Sequence, residues 1–301
     1  MMANRGYMYF EPHRAIKLRN LHLTVRGAVE GFISGLHKSP HKGFSVEFSE
    51  HREYTPGDDP RHLDWVAWAK TDRYYVKQYE QETNLRAYIL LDVSNSMNYR
   101  HSGGITKFTY GAYLSACLGY LICRQQDVVG MMAFDRDVRW HIPPGSSPAH
   151  IDRIFRRLEG TTCGNETSIA PTFHKLAQML SRRGVVIIIS DLYDEPSHVL
   201  KALQHFVHKR HQVIVMHLLD KAEIEFPFKD MTSFVDLETN ERVQVDPLAI
   251  RDEYVRQMRE FVATWRRECG QRRIEYINVT TDTPYDTMLL DYLSRRKAMT
   301  R

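Results

Sequence analysis

The chain has 301 residues, of which 43% are hydrophobic and 26% charged, with 16 Gly and 12 Pro; this is ordinary globular composition and excludes collagen, coiled coil and wholesale disorder. Net charge is only +4, too small and too spread out for a dedicated nucleic-acid binder. The longest apolar runs, 185–189 and 88–91, are strand-length against the roughly 18 residues of a membrane span. The first twenty residues are charged and lack the apolar core of a secretory signal, so a cytoplasmic chain with no membrane span is expected. The length predicts two small domains or one domain with an elaborate insertion.

Residues 1–84 read as an N-terminal helix followed by a β-rich segment. Tyr54-Thr55-Pro56-Gly57 is a strong turn. Asp59 and Pro60 then read as N-cap and first residue of a short helix, with Leu63, Trp65, Val66 and Trp68 available for burial. From 85 to 296 strands and helices alternate. LRAYILLDVS is a buried strand ending in polar residues, and a helix over 106–124 follows, with Phe108, Ala112, Ser115, Leu118 and Ile122 on one face. VVGMMAFDRD and VRWHIPP are two strands around a turn at Asp135 and Asp137, expected to be solvated. Helices at 149–159 and 168–182 precede GVVIIISDL, whose continuous apolar run suits a central parallel strand. Another helix opens at Glu195-Pro196, and QVIVMHLLD is a further strand. Residues 223–246 read as an inserted β-hairpin, and 297–301 as a tail. The pattern predicts an α/β fold with a doubly wound, mainly parallel, Rossmann-like sheet. The two segments that break the rhythm, 39–83 and 223–246, are each too small to bury a core alone and are expected to form one small accessory β lobe.

The basic pairs, such as Arg156-Arg157, Arg182-Arg183, Lys209-Arg210, Arg266-Arg267 and Arg295-Arg296, are expected at helix ends, where they complement the helix dipole. Cys117, Cys123, Cys163 and Cys269 form no CxxC pair, which suits reduced thiols. His205 and His208 share a helix face but lack a third ligand, so a solvent-facing helix end is expected. The informative motif is Asp92-Val93-Ser94-Asn95-Ser96, at the end of the first strand of the alternation. Ligands of open parallel sheets bind beyond the carboxyl ends of the strands. A carboxylate and two hydroxyls at alternate positions can converge there, and hard oxygen donors suit Mg²⁺ better than Zn²⁺. Ile189-Ser190-Asp191 is a second acidic strand end, and Asn165-Glu166-Thr167-Ser168 opens a helix between the two. Read from residues alone, Asp92 is as good a turn or cap residue as a metal ligand, and Thr167 as good an N-cap as a donor.

DxSxS, a Thr at a helix start and an Asp at a later strand end resemble the metal-ion-dependent adhesion site of von Willebrand factor A domains. Tyr-x-x-Gly-Asp-Asp-x-Arg-x-x-Asp-Trp over 54–65, the VKQYEQE strand, FVDLETNERVQVD and the closing IEYINVTTDTPYDTMLLDYLSRR resemble the bacterial family catalogued as "domain of unknown function 58", over roughly 14–296. The resemblance implies a von Willebrand factor A-like fold over 85–296. It also implies a site of Asp92, Ser94, Ser96, Thr167 and Asp191 holding Mg²⁺, with Mn²⁺ as the alternative. The usual Gly-Gly-Thr is Asn165-Glu166-Thr167 here, which leaves Ser168 or Thr162 open as the donor; the usual Thr-Asp-Gly is Ser190-Asp191-Leu192. Members of the family resemble A-domain partners of MoxR-type AAA+ ATPases. The expected role is therefore non-enzymatic: a partner's Asp or Glu is bound through the ion. The alternative is a metal-dependent nuclease or phosphatase using Asp92 and Asp191 as metal ligands.

Overall fold

The computed structural model describes residues 47–55, 63–71, 73–80, 86–101, 105–164, 169–237, 241–284 and 287–289. Two compact units separate, Ile33–Asn84 and one that carries Leu85–Arg301. The expected N-terminal helix, the Asp59-Pro60 cap, Arg295-Arg296 and the tail lie outside the described residues.

In the smaller unit, strands β1 (Glu47–Glu53) and β2 (Tyr75–Glu80) pair antiparallel around helix α1 (Trp65–Thr71). Buried Asp64 caps this helix: its Oδ1 accepts from Ala67 N–H at 3.1 Å, satisfying one of the donors that a helix start leaves unpaired. The expectation that both tryptophans are buried fails. Trp65 is 58% and Trp68 38% exposed, and Trp68 stacks on exposed Tyr74 at 6.0 Å. A seven-residue helix beside a two-stranded ribbon makes too small a unit to bury two indoles.

The larger unit is built on a six-stranded sheet. In chain order its strands are β3 (Arg86–Asp92), β4 (Val128–Phe134), β5 (Val138–Gly145), β6 (Val185–Ser190) and β7 (Gln212–Leu219), closing with β10 (Glu275–Thr280). Their spatial order is β10-β7-β6-β3-β4-β5. All neighbours run parallel except β4 and β5, which form an antiparallel hairpin at the edge. Helices α2 (Lys107–Arg124), α3 (Pro148–Glu159), α4 (Ile169–Met179) and α5 (Pro196–His208) lie between these strands. A five-residue helix α6 (Lys221–Glu225) follows β7, then a hairpin of β8 (Thr232–Val235) and β9 (Arg242–Val245), then α7 (Pro247–Gln271). The mixed α/β class with a mainly parallel sheet is as the alternation predicts. The two β-rich segments form separate two-stranded sheets, and no described strand of one pairs with the other.

Both faces of the sheet are covered, because strand side chains alternate in direction. Leu90, Ile188 and Val215 share a core with Phe173 of α4, Phe206 of α5 and Trp265 of α7. The intervening Leu91 and Ile189 face α2 at Gly111, where a Cβ would stand 2.9 Å from Leu91 Cδ1. Helix α4 stops at Met179, short of the expected 182, and Arg266-Arg267 falls within α7, whose C-cap is Arg272. The turn after β4 is not fully solvated. Asp135 is buried, its Oδ1 accepts from Asp137 N–H at 3.0 Å, and Arg139 pairs with it at 3.3 Å. No helix among the described residues is long and apolar enough to cross a membrane.

Candidate functional site

The chain leaves β3 for β4 on one side of the sheet and later returns to β6 on the other, so β3 and β6 flank the point where strand order reverses. Such switch points open a crevice beyond the strand ends. Asp92 is the last residue of β3, and Asp191 directly follows β6. Both are fully buried.

Local backbone geometry holds Asp92 in place. Its Oδ1 accepts from Ser94 N–H at 2.9 Å and its Oδ2 from the Ser190 hydroxyl at 2.6 Å. Ser190 Oγ in turn accepts from Leu192 N–H at 3.0 Å. Ser94 then opens a 3-10 turn, Asn95–Asn98, which brings the Ser96 hydroxyl to 3.0 Å from that of Ser94. Burial, followed by the nearby Asp191 charge, pushes the Asp92 carboxyl up to about 7, against the lowering effect of the bonds from Ser190 and Ser94. Asp191 Oδ1 is buried and has no hydrogen-bond partner among the described residues, whereas its Oδ2 accepts from the Lys107 ammonium at 2.7 Å.

Lys107 is the first residue of α2 and is fully buried. It also donates to Glu223 Oε1 at 2.7 Å. Burial would lower its pKa, but the Asp191 and Glu223 charges overcome this and hold it above the ordinary lysine value. Burial raises the Glu223 carboxyl against the lowering pull of Lys107. Glu223 Oε2 accepts from Asp220 N–H at 2.6 Å, completing a capping box on α6. A cavity of about 290 Å³, lined by Ser96, Tyr99, Lys107, Tyr193, Glu223 and Asp236, opens beside this cluster. The β8–β9 hairpin reaches the site through the Leu237 carbonyl, which accepts from the Asn95 amide.

Behind Asp191 stands His217 on β7. Its Nε2 faces the Asp191 carbonyl at 2.8 Å and its Nδ1 the Tyr276 hydroxyl at 2.6 Å. A carbonyl only accepts, so Nε2 carries the proton and Nδ1 accepts from tyrosine. Burial, the largest influence, pushes the His217 pKa down to about 4.

Of the five expected site residues, the fold brings Asp92, Ser94, Ser96 and Asp191 to one crevice. Thr167, with the alternative Ser168 and neighbouring Glu166, lies outside the described residues. Thr162 lines a different cleft with Arg139, Trp140 and Arg157. Cys163 comes close instead: its thiol is pushed up to about 12 by burial and then by the charges of Asp92 and Asp191. His205 packs on His174 of α4, with ring centroids 4.2 Å apart, so the exposed helix end carries an imidazole pair that spacing alone did not reveal. Lys107, Glu223 and Tyr193 escape motif reasoning. The one available signal is Lys107 itself, a lysine in the first turn of a helix, where the dipole disfavours it.

The donors suit a hard divalent cation. Carboxylate and hydroxyl oxygens are the ligands Mg²⁺ prefers. Among the described residues Asp191 Oδ1 is buried without a partner, and the Asp92 carboxyl is destabilised by burial and then by the Asp191 charge. Among the described residues there is no group of three or more His, Cys, Asp and Glu side chains arranged for a metal, so any ion here depends on the two serine hydroxyls as well as on the two carboxylates.

A family profile described as "Protein of unknown function DUF58" matches residues 50–264. Uncharacterized proteins of Mycobacterium tuberculosis and Mycobacterium bovis are each 25% identical over 295 residues, spanning 95% of this chain and 91% of the relative. Among solved structures, the conserved hypothetical protein BatB from Bacteroides thetaiotaomicron is 15% identical with a TM-score of 0.46, covering 71% of this chain and 99% of that one. An aerotolerance-related membrane protein from Bacteroides fragilis is 14% identical with a TM-score of 0.47 and the same coverage.

Proposed function

The chain belongs to the family of proteins of unknown function DUF58, and from that footing we infer that it captures a protein partner at a Mg²⁺-dependent adhesion site and performs no catalysis of its own. The observation that carries this reading is the Asp92–Asp191 pair. Two buried carboxylates meet at the switch point, the first with its pKa pushed up to about 7 and the second with one oxygen that has no partner among the described residues. Lys107 relieves one Asp191 oxygen, and the charge that remains on the pair is costly unless a further cation relieves it. Asp92, Ser94, Ser96 and Asp191 would hold Mg²⁺ or Mn²⁺, with Thr167 as the further donor implied by the resemblance to von Willebrand factor A domains. When bound, the ion supplies an exchangeable position for an Asp or Glu carboxylate from the partner. The Asp92 bonds to Ser94 N–H and Ser190 fix its carboxylate, so little ordering remains to be done on binding. By the same resemblance, a MoxR-like AAA+ ATPase is the partner to try first.

The test is calorimetric titration of Mg²⁺ and Mn²⁺ into metal-stripped full chain, beside Asp92→Ala, followed by metal-dependent capture of the ATPase. Saturable one-site binding lost in Asp92→Ala, with capture and no turnover, is the expected result. Metal-dependent phosphoester hydrolysis lost in Asp92→Ala would replace this reading with the hydrolase one.

A further inference from the structure

Lys107 breaks one tendency and meets the condition of another. A cation at a helix start meets the positive end of the helix dipole, and lysine is almost never fully buried unless paired. Here the ammonium is fully buried in a seat drawn from separate elements. Asp191 follows β6, and Glu223 sits on α6 with its second oxygen locked by Asp220 N–H. The Tyr193 ring closes the seat, with its centroid 4.8 Å from Nζ, a distance at which an aromatic face attracts a cation. This seat engages one oxygen of Asp191 and leaves the other without a partner among the described residues.

We propose that Lys107 is the resident cation of this site: its ammonium holds Asp191 in the metal-free protein and competes with a divalent cation for that carboxylate. Glu223 is the second anchor that keeps the ammonium close when Asp191 is shared. The proposal rests on the reading of Asp92, Ser94, Ser96 and Asp191 as a metal site. A positive charge hydrogen-bonded to a ligand carboxylate repels an incoming dication and weakens the ligand it must share. Intrinsic metal affinity is thereby kept low, and a carboxylate from the partner strengthens the binding of ion and partner together, a reciprocal coupling. Lys107 thus sets affinity and does not itself touch the partner.

The decisive variant is the double substitution Lys107→Met with Glu223→Gln, which removes one positive and one negative charge and leaves the net charge of the site unchanged. Mg²⁺ and Mn²⁺ are titrated calorimetrically into metal-stripped full-length wild type and double variant, with melts in EDTA and in Mg²⁺. The double variant is expected to bind Mg²⁺ about tenfold tighter or more, to melt lower in EDTA, and to gain more from Mg²⁺ than wild type does. Folding of the variant only in Mg²⁺ supports the proposal equally. Equal or weaker affinity in a folded variant overturns it and leaves the metal site standing, whereas no binding by either protein at millimolar metal overturns both. A second measurement needs no variant: the buried ammonium of Lys107 should give a slowly exchanging nitrogen-15 signal in wild type that shifts as Mg²⁺ is added. A signal unmoved at saturating Mg²⁺ overturns the competition.

Discussion

His217 and Asp92 sit on either side of Asp191 and respond to pH in opposite senses. The folded-state pKa of His217 lies near 4, below the ordinary 6.5. The unfolded chain therefore binds the proton more tightly, and stability falls as pH drops from about 6.5 to about 4, by about 3 kcal/mol. His217→Gln keeps a donor for the Asp191 carbonyl and should flatten that acid-side loss in denaturant titrations between pH 4 and 7. Asp92 is raised to about 7 from 3.8, so the folded state holds its proton more tightly than the unfolded one. Its contribution is present below about pH 4 and lost as pH rises through 7 in metal-free protein. Asp92→Asn should remove this loss, melting above wild type at pH 8 in EDTA and with it in acid; an unchanged melting point at pH 8 would contradict the cost of holding this buried carboxylate charged.

At the level of elements, several connections turn on residues held in the left-handed region without glycine. Arg210 (φ 62) follows the C-cap of α5, and Arg273 (φ 59) that of α7. A side chain there costs roughly 1 kcal/mol or more, and glycine removes the strain. Arg210→Gly is expected to stabilise the protein by about 0.5–1 kcal/mol in urea titrations, part of the gain being lost to unfolded-state entropy. Leu192 (φ 53) adopts the same conformation just past Asp191 but is fully buried in the core of α4 and α5. Leu192→Gly should therefore destabilise, by about 2 kcal/mol or more, because the cavity outweighs the relieved strain. The same measurement on both variants separates backbone strain from packing. Leucine where the related pattern has glycine thus trades backbone comfort for a packing contact beneath the site.

For the whole molecule, the sheet and its two helical layers stand apart from the site in energetic terms. The apolar core is continuous through Leu90, Ile188, Val215 and Trp265, while the charged cluster caps the strand ends. An ion that binds only the native state adds RT ln(1 + [L]/Kd), about 2.7 kcal/mol at a hundredfold excess over Kd. For a domain of this size that amounts to a rise in melting temperature of about 5–10 °C. Wild type should show that rise with Mg²⁺, and Asp92→Ala should show none while keeping its circular dichroism spectrum. Loss of the spectrum would make Asp92 a structural residue first.

Much of this architecture is legible in the residues because it rests on local patterns. Continuous apolar runs such as 185–189 require burial on both faces, alternation with amphipathic helices requires a parallel sheet, and polar residues at the strand ends then point to the crevice. Asp92 and Asp191 are placed at strand ends by that logic, and the resemblance adds Ser94 and Ser96; that β3 and β6 lie side by side is decided by the sheet order. Lys107 is not placed by that logic: its partners lie 84 and 116 residues away in sequence, and nothing local distinguishes a buried ammonium from a solvated one. The exposure of Trp65 and Trp68, the burial of Asp135 and the meeting of His174 with His205 likewise depend on which surfaces the fold sets opposite them. The sequence by itself determined the layers and the strand ends, because periodicity and chain direction act over a few residues. Only the tertiary structure decided which charges face one another, because desolvation and Coulomb attraction depend on distances between segments that the chain order leaves free.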